Sequence, residues 1–446
     1  MAKSVVTIAD LTDDEIERIF DQADEFLSLM SSRRPDRVSG RLRIAESFIL
    51  SSLFYEPSTR TRFSFESAIG RLGGSAISLA DPRTSSAAKG ETLADTVRVI
   101  QNYADIIVIR HPWEGAARVA ADYADVPVVN AGDGGHEHPT QTLCDLYTLR
   151  KENKTLRGLK VMIRGDLKNG RTVHSLVYGL ARFGAQIIPY PAKGMELPNE
   201  VTTRLQRDFG CIPWKAEELP VDVIYATPDR PNQLALLTDV TVKLKDVDVC
   251  YVTRLQIERS DGNGSEEYPV VNQDFLKDQR YKRSRVLHPL PRVEELGYDM
   301  DADPRGIYFK QASYGVPVRM ALLAALLQIK PDILEKQKEE LPRVRSTMPQ
   351  ALRCSNQKCI SNEPAEKRYL MPEFWLVVKE PVTVRCIYCE REYTPKFLGN
   401  TSSHHYTADP HHLESWSSAH WIFFQNENDA LAAGFRTYKR ESKAAV

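Results

Sequence analysis

The stretch that most constrains the fold runs from Ile44 to Gly74. Its apolar start, Ile44 to Leu53, reads as a buried strand. Pro57 cannot continue a ladder and ends that strand. Ser58 and Thr59 are good helix N-caps. A helix then fits Thr61 to Leu72, with Phe65, Ile69 and Leu72 at i, i+4 and i+7 on one face, and Gly73-Gly74 as its stop. Strand, tight hydroxyl-rich turn and helix start together make an anion site. The first N–H groups of a helix lack partners, and its dipole adds partial positive charge. Ser58, Thr59 and Thr61 add hydroxyl donors, and Arg60 adds a planar fork matched to phosphate oxygens.

The same rhythm continues. Strand patterns at Ser75–Leu79, Ile106–Arg110 and Val126–Asn130 alternate with helix patterns at Thr92–Tyr103 and Gly115–Ala124. Alternation of this kind predicts a parallel sheet with helices on both faces, and ligands gather beyond the strand C-termini of such sheets. Arg110-His111-Pro112 and the run Asn130 to Gln141 stand at two such ends. His138 precedes a helix start and Gln141 falls in its first turn, so both can aim at one space. A helix over Thr140–Lys154 bridges to a second set of strands, at Leu159–Ile163, Ala185–Tyr190, Val221–Tyr225, Val247–Val252 and Arg285–Leu287. The turn after Ile163 holds Gly165 and Gly170, but not at the Gly-x-Gly-x-x-Gly spacing of a dinucleotide site. Thr253-Arg254-Leu255-Gln256 and the proline-stiffened Leu287-His288-Pro289-Leu290-Pro291-Arg292 close the remaining strand ends. The fold class predicted is α/β, with two doubly wound parallel-sheet domains and the active site between them.

The chain has 446 residues, too many for one core. Lys+Arg number 59 against Asp+Glu 60, so no global field favours nucleic acid or an anionic membrane. The acidic N-terminal segment does not suit a secretory signal, and the apolar run Met320–Ile329 is half of what a bilayer span needs. A cytoplasmic protein with no nucleic-acid or membrane partner is expected.

Of the seven cysteines, Cys144, Cys211 and Cys250 are isolated, as reduced core residues are. The others form two close pairs, Cys354-x4-Cys359 and Cys386-x2-Cys389. Two thiolate pairs on turns make a closed, tetrahedral, structural zinc site. Strand patterns at Glu373–Lys379 and Val382–Arg385 make this a small β-rich domain, over 351–398. The expected order is 1–150, 151–315, a helix 316–330 returning to the first domain, a linker 331–350, the zinc domain, and a tail 399–446 of unassigned role. That tail holds His404, His405, His411, His412 and His420, read as loop histidines and not as a second metal site.

Ser58-Thr59-Arg60-Thr61-Arg62 resembles the carbamoyl-phosphate signature of the transcarbamoylase family. The likeness extends from about Thr7 to Ile329 and is to its aspartate carbamoyltransferase branch. The resemblance implies that Ser58, Thr59, Arg60, Thr61 and Arg110 hold carbamoyl phosphate, with Thr61, Arg110 and His138 on its carbonyl oxygen. Gln141 and the carbonyls of Pro289 and Leu290 would meet its amino group. Arg171, Arg254 and Gln256 would hold aspartate, the two arginines each taking a carboxylate. Ser85 and Lys89 match loop residues lent to a neighbouring subunit, which implies at least a homotrimer with shared sites. Glu56, Arg171, Arg254 and Arg259 are candidates for ion pairs across the cleft. No cofactor is needed for the transfer, which is the committed step of de novo pyrimidine (UMP) biosynthesis. Pro289 stands where ornithine enzymes carry a cysteine, a vote for aspartate.

Three positions depart from the family pattern: Ala88 precedes Lys89 where bacterial members often have a second lysine, Arg164 replaces an apolar residue, and Tyr314 replaces a common Asn. The segment Arg353–Tyr393 resembles the zinc domain of the separate regulatory chain of bacterial aspartate carbamoyltransferases, here fused to the catalytic part. Nothing resembles that chain's nucleotide-binding domain, so the module is expected to prop up the assembly without nucleotide feedback.

Overall fold

The structure, a computed structural model, describes residues 3–31, 42–79, 89–153, 155–168, 171–213, 221–227, 244, 247–254, 270–335 and 341–438. The first lobe contains α1 (Asp13–Ser31), β1 (Ile49–Phe54), α2 (Thr59–Leu72), β2 (Ser75–Leu79), α3 (Leu93–Ile100), β3 (Ile106–His111), α4 (Ala116–Tyr123), β4 (Val128–Asp133) and α5 (Pro139–Asn153). Its strands run parallel in the order β2-β1-β3-β4. The chain leaves β1 for one side of the sheet and returns on the other, so the crevice lies where β1 and β3 end. Their register sets Phe54 beside Arg110, which brings the turn after β1 next to that arginine. Helix α2 begins at Thr59, two residues earlier than its apolar spacing predicts, so Arg60 falls in the first turn.

The second lobe contains β5 (Lys160–Gly165), α6 (Arg171–Arg182), β6 (Gln186–Pro191), α7 (Asn199–Phe209), β7 (Val223–Ala226), β8 (Val249–Val252) and β9 (Arg285–Leu287), in the parallel order β6-β5-β7-β8-β9. Helix α8 (Tyr308–Leu326) then packs back on α1, α2 and α5 of the first lobe. It starts at Tyr308 and not at Val316, with Pro317 inside it. A helix-interior proline normally breaks a helix. Here one face of the first turns, Tyr308, Gln311, Tyr314 and Gly315, and every residue from Pro317 to Leu326 are buried, and that packing overrides the local penalty. Tyr314 is buried too and meets Tyr147 edge-on at 5.4 Å, while Tyr147 meets Phe20 at 5.5 Å, so the departure at 314 completes an aromatic row. Arg164 is fully buried at the end of β5, its guanidinium 4.4 Å from the Tyr190 ring centre.

Two small sheets follow. β10 (Arg343–Arg345), β11 (Glu373–Lys379), β12 (Val382–Cys386) and β13 (Glu392–Tyr393) form an antiparallel sheet in that order. β14 (Phe397–Asn400), β15 (His405–Thr407), β16 (Trp421–Phe424) and β17 (Arg436–Thr437) form the second, in the order β16-β14-β15-β17, with α9 (His412–Ser415) and α10 (Glu427–Ala432) beside it. Two boundaries therefore move. The expected linker contains β10, and the limit at 398 falls inside β14, so residues 400–438 belong to a folded sheet. Tyr406, Ile422, Phe424, Ala430 and Phe435 give that part a small core of its own. Among the described residues no helix is long and apolar enough to cross a membrane.

The four-cysteine module shares a continuous core with the outer face of the first lobe. Leu93, Val97 and Ala117 pack with Phe374, Ile387 and Tyr388, all buried. A buried Leu, Val or Phe each stabilises by about 1.5–3 kcal/mol, so this contact is part of the fold and not a loose appendage. Gly115 allows it. Its φ is +89°, and a Cβ there would lie 2.5 Å from the Cβ of Tyr388.

Candidate active site and metal centre

One end of the cleft is built by α2. Ser58 occupies the N-cap position, yet its side chain makes no capping bond, so the hydroxyl is not spent on the helix. The N–H groups of a first helical turn have no intrahelical acceptor, and Thr59, Arg60 and Thr61 supply them here. Arg60 donates from Nη2 to the carbonyl of Leu290 at 2.7 Å, across from the second lobe. Burial, then the charges of Arg254 and Arg110, pull the Arg60 pKa below its usual value. Three guanidinium groups from both lobes thus share one cleft, and mutual repulsion of that kind is relieved by a polyanion.

Arg110 is buried at the end of β3. It donates from Nη2 to Glu56 Oε1 at 3.1 Å and from Nη1 to the Ala131 carbonyl at 3.1 Å. Glu56, expected to pair across the cleft, thus holds an arginine of its own lobe. His138 is buried at the start of α5. Its Nδ1 accepts from the Gln141 backbone N–H at 3.3 Å. A backbone N–H can only donate, so the proton of a neutral ring sits on Nε2, the tautomer that donates to a carbonyl oxygen. Gly132, at φ +116°, keeps the space between them open: a Cβ there would lie 2.9 Å from Arg110 Nη1 and 3.3 Å from His138 Cδ2.

On the other side, Arg254 follows β8 and is half-buried. Arg171 is the first residue of α6, at the mouth of β5, though its side chain lies outside the described residues. Ser85, Ala88, Gln256 and Arg259 also lie outside them. Lys89 is exposed, at the foot of α3. Pro289 and Leu290 are half-buried over Arg60. Leu290 has φ +54°, a strained value for a branched residue, and there its carbonyl accepts the Arg60 bond.

Sequence reasoning missed the polar cluster that supports these groups. Asp133 accepts from the backbone N–H of Gly115 at 2.7 Å and Glu137 at 3.1 Å, and its Oδ2 lies 3.0 Å from His136 Nδ1. It thereby shapes the loop that delivers His138. Burial opposes charge on His136, but Asp133 and Glu390 outweigh it and hold its pKa well above the usual value. Glu390, next to a cysteine of the module, also takes Arg204 of α7 at 2.6 Å, with both side chains buried. Glu392 with Arg207 at 2.9 Å, and Arg385 with Asp208 at 3.4 Å, extend the seam. A cavity of about 810 Å³ opens there, lined by Glu56, Lys168, Arg204, Lys358 and Glu390 among others. Arg60, Arg110 and Arg254 do not line it, so it lies apart from the arginine cleft. The only advance signal for this seam was the acidic residue beside Cys389.

The cysteines converge as spaced. Cys354, Cys359, Cys386 and Cys389 are buried, with their sulfurs all within 4.8 Å of one another. Cys354 and Cys389 are 3.5 Å apart, and Cys359 and Cys386 3.9 Å. A tetrahedral zinc with arms of about 2.3 Å needs sulfur separations of about 3.8 Å, so the set fits a closed structural site. Among the described residues no histidine of the C-terminal sheet joins such a group.

A cleft between two parallel sheets that gathers Arg60, Arg110 and Arg254 beside a helix N-terminus and His138 suits an enzyme that transfers a group from a phosphate. Known proteins make the class specific. Residues 3–151 match the family described as aspartate/ornithine carbamoyltransferase, carbamoyl-P binding domain, and 157–326 match its Asp/Orn binding domain. Residues 346–397 match the aspartate carbamoyltransferase regulatory chain, metal binding domain.

The aspartate carbamoyltransferase catalytic subunit of Methanocaldococcus jannaschii is 44% identical over 331 residues, 73% of this chain and 98% of that protein. The Thermoplasma volcanium catalytic subunit is 45% identical over 332 residues, with the same coverages. The solved M. jannaschii catalytic subunit superposes with a TM-score of 0.59 at 40% identity, over 74% of this chain and 99% of that one. Aspartate transcarbamoylase from Trypanosoma cruzi, in complex with N-(phosphonacetyl)-L-aspartic acid, gives 0.58 at 34%, over 72% and 94%. The chain belongs to the aspartate/ornithine carbamoyltransferase family. Within it, the chain is an enzyme of the aspartate branch, a catalytic part joined to a metal-binding domain of the regulatory-chain type.

Proposed function

We infer that the chain moves the carbamoyl group of carbamoyl phosphate to the amino group of L-aspartate, giving N-carbamoyl-L-aspartate and phosphate, the committed step of de novo pyrimidine (UMP) biosynthesis. One observation carries this reading: Arg110 and Arg254, from opposite lobes, both act on the Arg60 guanidinium, which itself reaches across to the Leu290 carbonyl between the two parallel sheets. Carbamoyl phosphate sits with its phosphate on Ser58, Thr59, Arg60 and Thr61. Thr61, Arg110 and the Nε2 proton of His138 polarise the carbonyl. Gln141, Pro289 and Leu290 face the amino group; for Leu290 to do so, Arg60 must release its carbonyl and turn to phosphate. Arg171, Arg254 and Gln256 hold aspartate. Its deprotonated amine attacks the carbonyl carbon, the C–N bond forms, the C–O bond to phosphorus breaks, and phosphate leaves with that electron pair and accepts the amine's remaining extra proton. Positioning and charge complementarity supply the rate.

The working unit is a homotrimer whose neighbour contributes Ser85 and Lys89. Exposed edge strand β2, with Ile77 at 40% and Phe63 of α2 at 52% exposure, suits a subunit contact beside that loop. Zinc is the ion for the four thiolates, and the cytoplasm, where free cysteines persist, is the compartment. The fused module supports the catalytic lobes without nucleotide feedback; CTP or ATP shifting the aspartate saturation curve would count against that. The decisive assay gives the protein carbamoyl phosphate with aspartate or ornithine in parallel and identifies the product. Arg60→Ala should keep the fold and lose turnover. Carbamoyl ornithine as the product, or near-normal activity in that variant at saturating substrate, defeats the reading.

A further inference from the structure

Asp145 is buried on α5, one helical turn after Gln141. Its Oδ1 accepts from Gln141 Nε2 at 2.9 Å, Tyr251 OH at 3.0 Å and Gln311 Nε2 at 3.0 Å. An amide side chain has a donor end and an acceptor end, and which one faces outward depends on what holds the other. Three donors converge on one oxygen, so the carboxyl selects the NH2 end of Gln141 and turns its Oε1 away. Gln311 cannot swap ends to compete, because its own Oε1 accepts the backbone N–H of His288 at 3.0 Å. His288 Nδ1 in turn accepts from the Leu290 N–H at 2.8 Å, and the Leu290 carbonyl meets Arg60. A single hydrogen-bonded chain therefore runs from Gln141 through Asp145, Gln311 and His288 to Leu290, joining residues on both sides of the carbamoyl position.

We propose that Asp145 is a positioning residue: it fixes the Gln141 amide so that Oε1 accepts a hydrogen bond from the amino group of the carbamoyl moiety. This rests on the reading above that Gln141 faces that group. The consequence is selectivity. The amino group of carbamoyl phosphate can only donate, and acetyl phosphate, of nearly the same shape, carries a methyl there. A site that presents an oriented acceptor tells the two apart; one with a freely turning amide does so poorly.

The test compares carbamoyl phosphate KM with the inhibition constants of acetyl phosphate and inorganic phosphate, at saturating aspartate. The variants are Gln141→Ala, Asp145→Ala, Asp145→Asn and the Gln141→Ala/Asp145→Ala double. Native enzyme is expected to prefer carbamoyl phosphate. Asp145→Ala should erase about tenfold of that preference, the worth of one oriented hydrogen bond, while acetyl phosphate and phosphate bind as before. Asp145→Asn keeps an acceptor at Oδ1 and should keep the preference. The double variant should lose no more than Gln141→Ala alone. Asp145→Leu, which fills the space without an acceptor, takes the place of Asp145→Ala if the latter does not fold. Equal weakening of all three ligands, or additive losses in the double variant, would show a merely structural aspartate and overturn the proposal. Loss of preference in Gln141→Ala but not in Asp145→Ala would overturn the proposal alone. Unchanged preference in Gln141→Ala would remove the role of Gln141, and the proposal with it.

Discussion

Removing either partner of the Arg204–Glu390 pair should loosen the metal module from the second lobe. The pair is 2.6 Å apart, with side chains only 7% and 8% exposed. Leaving one charge of such a pair buried and unmatched costs about 3–5 kcal/mol. Asp208 stands 3.5 Å from Arg204, and His136 3.8 Å from Glu390, and each takes up part of the stranded charge. The lower end, about 3 kcal/mol for Arg204→Met or Glu390→Gln, is therefore expected. The double variant leaves neither charge stranded and should cost well under the sum, with a coupling of about 2 kcal/mol. Denaturant melts and the rate at which a metal-binding dye strips the ion both read this out. The single variants should release metal faster than native protein, and the double variant more slowly than either single. Costs that add to within about 0.5 kcal/mol would refute the idea that this pair couples module and lobe.

Gly132→Ala should raise the KM for carbamoyl phosphate and lower kcat, because its methyl intrudes on Arg110 and His138; unchanged kinetics would place the substrate elsewhere. Gly115→Ala should undock the module, seen as increased binding of an apolar dye and a lower Tm, with the KM for carbamoyl phosphate shifting before that for aspartate. Chelation should release one metal per chain, expose the Leu93–Phe374 contact and bring aggregation, with zinc restoring the native spectrum. Burial pushes the Asp145 carboxyl from 3.8 to about 7, against Gln141, Gln311, Tyr251 and Arg319. The folded chain then keeps a proton that the unfolded chain releases, so this contribution is full below about pH 4 and is lost as pH rises through 7. It is worth on the order of 4 kcal/mol. Glu137, also raised to about 7, has the same sign, so Asp145→Asn should lessen and not abolish the fall of Tm between those limits.

What was legible in the sequence was what local order carries. Ser58 to Arg62 sit together in the chain and in space because a strand end and a helix start place them there. Cys354 to Cys389 read just as plainly, since thiolate spacing is set by the metal. Arg254 could be named only by resemblance, and its nearness to Arg60 needed the packing of two lobes. Asp145, Gln311, Arg204 and Glu390 had no such signal. Each looks like an ordinary polar residue on a helix or turn, and its role depends on a partner 166 or 186 residues away. The C-terminal sheet was missed for another reason. Its strands are two to four residues long, too short to show an alternating pattern, and Trp421–Phe424 is wholly buried.

Fusion changes what the module's interface has to do. A separate chain must offset the loss of translational and rotational freedom on docking. Here β10 begins soon after Ile333, so the module is held beside its surface at high effective concentration. Modest contacts then suffice for occupancy, yet the contacts found are not modest. A shared core, a backbone pairing of Glu114 with Cys359, and the buried seam to α7 tie it to both lobes. Contacts beyond what attachment needs act on the angle between the lobes, because a body joined to both resists their relative movement. The loop carrying Asp133, His136 and His138 is part of that joint. A change in the metal module therefore reaches the carbamoyl site through His136 and Asp133 before it reaches the aspartate side. It should alter kcat and carbamoyl phosphate affinity ahead of the affinity for aspartate.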